Sequence, residues 1–296
     1  MGNDTAPRQA AMLILIGMAA LGIGDNFLLF IVNDGSLWQF HFLRGSLVLC
    51  GLSLLALLGV GTLRPKKFGA VLGRSVILAI ALVIYFGCLS ILPIGMVVAG
   101  FFTAPLFIVL ISVVVQRKSV GLYRWGAVLA GFAGVLMVIQ PDPANLNLVV
   151  FLPVVGGFFY AIGSVATRAW CEGEDTLALS AGFFAMLTIA GAIGSLTLPA
   201  GGIGAEGFAA RGWVPITSSN LFWIAIQAVL ALIGIFCVFK GYQLGEASYV
   251  AIFEYSLLVF ASFWAFVIWG QVVTPLAFVG MVLIAGAGAV IARRSA

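Results

Sequence analysis

The sequence predicts an all-α membrane protein, ten transmembrane helices arranged as two inverted five-helix repeats. Three observations carry this expectation. Ten apolar stretches, each long enough to cross a bilayer, fill almost the whole chain. A span needs about 20 mostly apolar residues to cross a hydrocarbon core of roughly 30 Å. The basic residues gather in alternate connections, and glycines of the fifth stretch recur in the tenth. Of the 296 residues, 63% are hydrophobic and 8% charged, with a mean hydropathy of +1.21. A soluble domain carries about 25% charged residues, so no sizeable soluble domain fits.

The spans run Ala10–Val32, Leu37–Leu58, Ser75–Leu92, Ile94–Gln116, Leu122–Ile139, Leu148–Thr167, Thr176–Leu198, Thr217–Phe239, Ala247–Trp269 and Val272–Ala292. Turn residues separate them: Asn33-Asp34-Gly35, Pro93 with Gly95, and Pro141-Asp142-Pro143. The polar N-terminus, Met1 to Gln9, leads into a run of full spanning length, which argues against a cleaved signal peptide. The Gly/Ala-rich stretch Pro199–Pro215 is the one long loop, and its Phe208 and Trp213 are expected at the membrane surface. Cys50, Cys88, Cys171 and Cys237 show no metal or redox spacing and read as small buried hydrophobes.

Charge placement gives the spans a direction. With both termini on one side, that side holds Arg8, Arg64, Lys66, Lys67, Arg74, Arg117, Lys118, Arg124, Arg168, Lys240, Arg293 and Arg294. The opposite loops hold only Arg211, and Arg44 lies within a span. The positive-inside rule then places both termini in the cytoplasm, in a multi-pass inner-membrane protein. An odd number of spans would break the pattern.

The fifth span, Trp125-Gly126-Ala127-Val128-Leu129-Ala130-Gly131-Phe132-Ala133-Gly134, parallels the tenth, Val279-Gly280-Met281-Val282-Leu283-Ile284-Ala285-Gly286-Ala287-Gly288. Small residues there let helices approach closely. Five spans per half is odd, so the halves, residues 1–143 and 144–296, enter the membrane from opposite sides. Inverted repeats are the architecture of many secondary transporters. With Gly24-Asp25-Asn26-Phe27 in span one, Arg44 within Trp38-Gln39-Phe40-His41-Phe42-Leu43-Arg44 in span two, and Ala104-Pro105-Leu106 in span four before a glycine-rich fifth, the chain resembles the EamA-type transporters of the drug/metabolite transporter superfamily. The resemblance covers essentially the whole chain. It departs where the family often has a glutamate before the last span of each half: Gln116-Arg117 and Gly270-Gln271 stand there, and span seven has no arginine. The resemblance implies efflux of amino acids or related metabolites.

Three charges lie deep within spans: Asp25, Arg44 and Glu254. At about 1.5 Å per residue, Asp25 and Arg44 both sit roughly 10 Å below the outer surface. They can pair, either as a structural ion pair or with Arg44 free to hold a substrate carboxylate. Glu254 lies about 10 Å from the inner surface with no basic residue at its depth. It sits on a stripe of small residues: Ala247, Ala251, Ala261 and Ala265, with Leu258. This face is either a packing seam or a cavity wall whose acid binds an ammonium group or a coupling proton. Phe101, Tyr160, Tyr255 and Trp264 are the rings a cationic substrate could rest against. Pro105 in span four and Pro153 in span six are expected kinks. His41, the single histidine, reads as a hydrogen-bonding residue.

Gly22-Ile23-Gly24-Asp25 matches the G-x-G-D element of intramembrane aspartyl proteases, but that chemistry needs a second carboxylate at the same site. The other aspartates lie in loops or at span ends, and Glu254 lies at another depth. No Ser/His/Asp set, metal cluster, phosphate loop or basic nucleic-acid stripe is present, so an enzyme, a metal or cofactor and a nucleic-acid partner are not expected. The expected function is alternating-access transport of a small organic metabolite, an amino acid or other amine-bearing solute, across the cytoplasmic membrane in the direction of export. The second reading is uptake of a quaternary-amine or other nitrogenous solute. The expected partners are that small molecule, a coupling proton and membrane lipid.

Overall fold

A computed structural model describes residues 6–89, 91–92, 94–141, 148–200 and 207–294. The turn residues Pro93, Asp142 and Pro143 lie outside them. The described residues form helices and no strand, and ten helices are long and apolar enough to cross a membrane.

Span one is α1 (Pro7–Asp25) followed by α2 (Leu28–Asp34); span two is α3 (Leu37–Leu57); span three is α4 (Phe68–Cys88). Span four is α5 (Ile94–Phe101) and α6 (Ala104–Val114), and span five is α7 (Leu122–Ile139). A 3-10 turn (Leu148–Phe151) leads into α8 (Leu152–Ala169), which is span six. Spans seven and eight are α9 (Thr176–Thr197) and α10 (Ser218–Leu244). Span nine is α11 (Ala247–Glu254) and α12 (Ser256–Trp269), and span ten is α13 (Pro275–Arg294). Arg8 and Arg293 line one crevice, so both ends of the described chain lie at the same end of the bundle.

The packing fits an inverted repeat. Exchanging each span with the one five further on should return the same contacts. α3 packs on α9 and α7 on α13, pairs that map onto themselves. The α1–α10 contact maps onto α8–α4, and α6–α8 onto α11 and α12 against α1. The α7–α13 crossing is one of close backbone approach. A Cβ on Gly134 would lie 2.7 Å from the carbonyl oxygen of Gly280, so glycine is what lets these backbones meet. Gly126 and Gly286, by contrast, face open space where the two helices diverge.

Three spans are interrupted along their length, each by local chemistry. Span one breaks at Asn26, whose amide donates to the Gly22 carbonyl at 2.8 Å and to the Ala261 carbonyl of α12 at 3.1 Å. Span four breaks before Pro105, which has no N–H to give; the Thr103 hydroxyl takes the Gly100 carbonyl at 2.6 Å. Span nine breaks at Tyr255, where the Ser256 hydroxyl takes the Phe253 carbonyl at 2.6 Å. Spans four and nine are equivalent under the five-span exchange, and both are broken.

Two expectations about the spans change. Span three starts at Phe68, not Ser75, because the helix extends through Gly69 and Gly73. This corrects the placing of Arg74: it is fully buried rather than a loop cation. Pro153 does not kink span six; it sits in the first turn of α8, where its missing N–H costs nothing.

Candidate substrate site

The breaks in spans one and nine end two helices on acids. Asp25 is the last residue of α1 and Glu254 the last of α11. Both carboxylates thus stand at the negative ends of helix dipoles, which suits a cation or a proton beside them. The two acids line one central cavity together with Arg44. Its volume is about 120 Å³.

Arg44 projects from α3 with its guanidinium over two rings, 4.5 Å from the centroid of Phe40 and 5.1 Å from that of Phe86. The expected contact with Asp25 is absent: among the described residues Arg44 makes no ion pair and its Nε has no hydrogen-bond partner. The two side chains instead face the cavity as separate charges. α1 is held at this level by Gln227 of α10, whose amide donates to the Gly24 carbonyl at 2.7 Å.

At the other side of the cavity, Glu254 accepts a hydrogen bond of 2.7 Å from the Tyr160 hydroxyl on α8. The Tyr242 hydroxyl lies beside the same carboxylate without a hydrogen bond of good geometry. Tyr160 continues into an aromatic wall: its ring centroid is 5.3 Å from that of Phe101, and Phe101 is 4.8 Å from Tyr85. Pro105 also lines the cavity, where the broken fourth span passes.

Other expected site residues fall elsewhere. Tyr255 is fully buried behind Phe102, ring on ring at 6.1 Å, and occupies the space opened by Gly131 of α7. Its position on the break turns it away from the cavity that Glu254 faces. Trp264 packs edge-on to Phe263, half-buried on α12, outside the cavity. His41 is buried beside Phe86, with neither ring nitrogen hydrogen-bonded among the described residues, which corrects its reading as a hydrogen-bonding residue. Cys50 is exposed and Cys237 only part-buried, so burial holds for Cys88 and Cys171 alone.

Arg74 is the residue the sequence reading missed. Its Nε donates to the Thr167 hydroxyl of α8 at 2.9 Å and its NH1 to the Leu179 carbonyl of α9 at 3.0 Å. Its guanidinium carbon lies 3.6 Å from the ring centroid of Phe239 on α10. One side chain thereby joins four helices below Tyr160. Gln227, Tyr85 and Phe86 were also missed; a search for uncharged polar side chains inside apolar spans would have found Gln227.

A second cavity, of about 230 Å³, shares Asp25, Tyr85 and Leu257 with the first. It runs between α5 and α12 past Ala261, Ser262 and Ala265, away from the termini. The part of the small-residue stripe farther from the termini, Ala261 and Ala265, is therefore a wall of this passage, while Ala247 and Ala251 are buried in packing.

Loops tie both ends of the bundle. Opposite the termini, the Phe208 carbonyl accepts from Leu37 N at 2.9 Å, and the Trp38 indole donates to the Ala209 carbonyl at 2.9 Å. Phe208 is buried against Leu37 and Phe40 rather than lying at the membrane surface; Trp213 is 38% exposed against Phe42. At the termini end, Glu174 accepts from Lys66 N at 2.8 Å and Lys67 N at 2.5 Å, and Asp175 accepts from Thr62 N at 2.9 Å. Arg124 and Glu246 form an ion pair of 2.6 Å at the same end.

No family model matches the chain. It is 26% identical over 221 residues to a riboflavin transporter of Rhizobium johnstonii, covering 75% of this chain and 68% of that one. It is 26% identical over 199 residues to a riboflavin transporter of Vibrio cholerae, covering 67% and 62%. An S-adenosylmethionine uptake transporter of Rickettsia bellii is 22% identical over 263 residues, covering 88% and 84%. The chain is similar to bacterial transporters of small metabolites. One crystal structure superposes with a TM-score of 0.75 over 97% of this chain and 98% of its own, at 17% identity, a likeness of fold alone.

Proposed function

We propose that the chain is a secondary transporter that takes up a small organic metabolite by alternating access between two five-helix repeats, residues 1–143 and 144–296. The observation that carries this is one buried cavity with two helices ending on acids, a ring-stacked arginine without a partner acid among the described residues, and an aromatic wall. Uptake is favoured over the export expected from the family resemblance, because the S-adenosylmethionine relative is named for uptake. The termini lie in the cytoplasm by the distribution of basic residues, so the passage past Asp25 leads outward.

In this reading Arg44 receives the anionic group of the substrate, and Glu254, oriented by Tyr160, receives its cationic centre or the coupling proton. Asp25 stands at the mouth, and Phe101 and Tyr85 hold the flat or apolar part. The preferred substrate is zwitterionic or cationic, since two acids and one arginine line the cavity. A small-molecule site is about 300–1,000 Å³, so the central cavity of about 120 Å³ must widen as the halves move. A second reading, a flat-ring substrate such as the riboflavin for which two relatives are named, is supported by the aromatic wall.

Purified protein in proteoliposomes, given labelled S-adenosylmethionine, riboflavin and amino acids in parallel, tests this. Saturable uptake of one of them is expected. Protein that is folded and inserted yet moves none of them would remove the reading.

A further inference from the structure

A crevice of about 490 Å³ opens at the termini end, between α1, α11 and α13, far from the passage past Asp25. Its rim carries two exposed guanidinium groups, Arg8 and Arg293. Neither forms an ion pair among the described residues. Its walls are apolar: Met12 and Leu15 of α1, Phe253 of α11 and Ala292 of α13. Tyr249 completes the wall, with its hydroxyl buried and without a hydrogen-bond partner among the described residues. Two cations above an apolar slot between membrane-spanning helices match a phosphodiester headgroup with an acyl chain below it. A soluble metabolite has no use for the lower part, where Met12 is 62% exposed along the helix side.

We propose that this crevice binds an anionic phospholipid, with Arg8 and Arg293 on the phosphate and an acyl chain along Met12, Leu15 and Phe253. The position gives the lipid leverage. Tyr249 and Phe253 lie on α11, the eight-residue half-helix that ends on Glu254. A lipid seated there braces the back of the helix that presents the acid to the central cavity. The assignment does not depend on which metabolite is carried.

The test is lipid binding by the purified full chain, read as apparent Tm in a neutral detergent titrated with phosphatidylglycerol, phosphatidylcholine or inorganic phosphate. Phosphatidylglycerol should raise Tm; the other two should not. Each guanidinium removed is expected to weaken apparent affinity about fivefold, so R8Q/R293Q should lose about thirtyfold. The control R117Q/K118Q, at the same end of the bundle but outside the crevice, should keep wild-type affinity. An equal response to phosphatidylcholine or to inorganic phosphate would overturn the lipid assignment. So would R8Q/R293Q binding like wild type, or the control variant losing as much. Both pairs of substituted residues are exposed, and native mass spectrometry of retained lipid gives a second readout if a variant's Tm has moved. Transport is not measured, so failure here leaves the uptake reading standing, and the converse.

Discussion

At the end carrying the termini, α9 starts on Asp175 and is strapped by the loop that follows α3; at the opposite end, α3 starts on Ser36 and is strapped by the loop that follows α9. The two places are equivalent under the five-span exchange, yet the hydrogen bonds run mainly in opposite senses, Arg211 NH1 to the Gly35 carbonyl at 3.3 Å being an exception. Ser36, Leu37, Trp38 and Gln39 donate to loop carbonyls, the shortest being Ser36 Oγ to the Arg211 carbonyl at 2.6 Å. At the other end the loop donates its N–H groups to Glu174 and Asp175. A helix N-terminus has spare donors, and one of them, Leu37 N, is met by the strap directly, while side chains of Ser36, Trp38 and Gln39 supply the other bonds to its carbonyls. α9 has acids there instead, favoured by its dipole, and these reach out to a strap of donors. One end is thus strapped mainly by loop carbonyls and sealed by buried rings; the other is sealed by carboxylates and by Arg74 beneath them. The equivalent loops of a two-fold architecture need not open under the same conditions.

The largest expected effect tests the cavity between these ends. Glu254→Gln should lower uptake about a hundredfold, because it removes the charge that Tyr160 orients. Asp25→Asn should cost less. Equal losses in the flux assay would erase the distinction between the two acids.

Phe208→Ala should be the most destabilising change at the end opposite the termini, about 3–5 kcal/mol for a fully buried ring. Thermal unfolding in detergent measures it, and a change under 1 kcal/mol would mean that the ring does not seal that end.

Glu174→Ala should loosen the termini end by about 2 kcal/mol, since Lys66 N and Lys67 N lose their acceptor at a part-buried site. Cys171 reports this directly. It is fully buried beside this loop, and burial pushes its thiol above the ordinary range, opposed by Arg74. The thiolate is the reactive form. In a chain whose other cysteines are replaced, maleimide labelling of Cys171 should therefore be slow near neutral pH and rise only above the pH that serves an exposed thiol. Glu174→Ala should speed labelling and shift its pH profile downward; an unchanged profile would show that Glu174 does not hold the end shut.

The smallest effect is Ser36→Ala, about 1 kcal/mol for a lost cap, with no change in Cys171 labelling. Faster labelling in that variant would mean that the two ends are coupled.

Much of the fold was legible in the sequence. Spans two, five, seven and nine begin where apolar runs follow Ser36, Gly121, Asp175 and Glu246, and the break before Pro105 follows from an absent N–H. The site was legible in part. Asp25, Arg44 and Glu254 stand out because charge is rare in spans, and the cavity brings them together with Phe101, Tyr160 and Pro105. Arg74 was hidden by its place near a span end, where a cation is normally at the surface. Tyr255 was misjudged because the break next to Glu254 rotates the residue after it, which an unbroken helical count does not allow for.

The sequence by itself determined that the chain is a ten-span membrane protein, through length and apolarity, and which end carries the basic residues. Only the tertiary structure decided which faces meet: that Arg44 rests on rings rather than on Asp25, that Tyr160 holds Glu254, and that Arg74 joins four helices. The physical reason is the solvent. In water an amphipathic pattern marks the buried face of a helix, but lipid tails are as apolar as a packed core. Helices such as α3 and α10 therefore carry little in their pattern to say which side faces lipid and which faces the cavity, and close packing of small residues settles it.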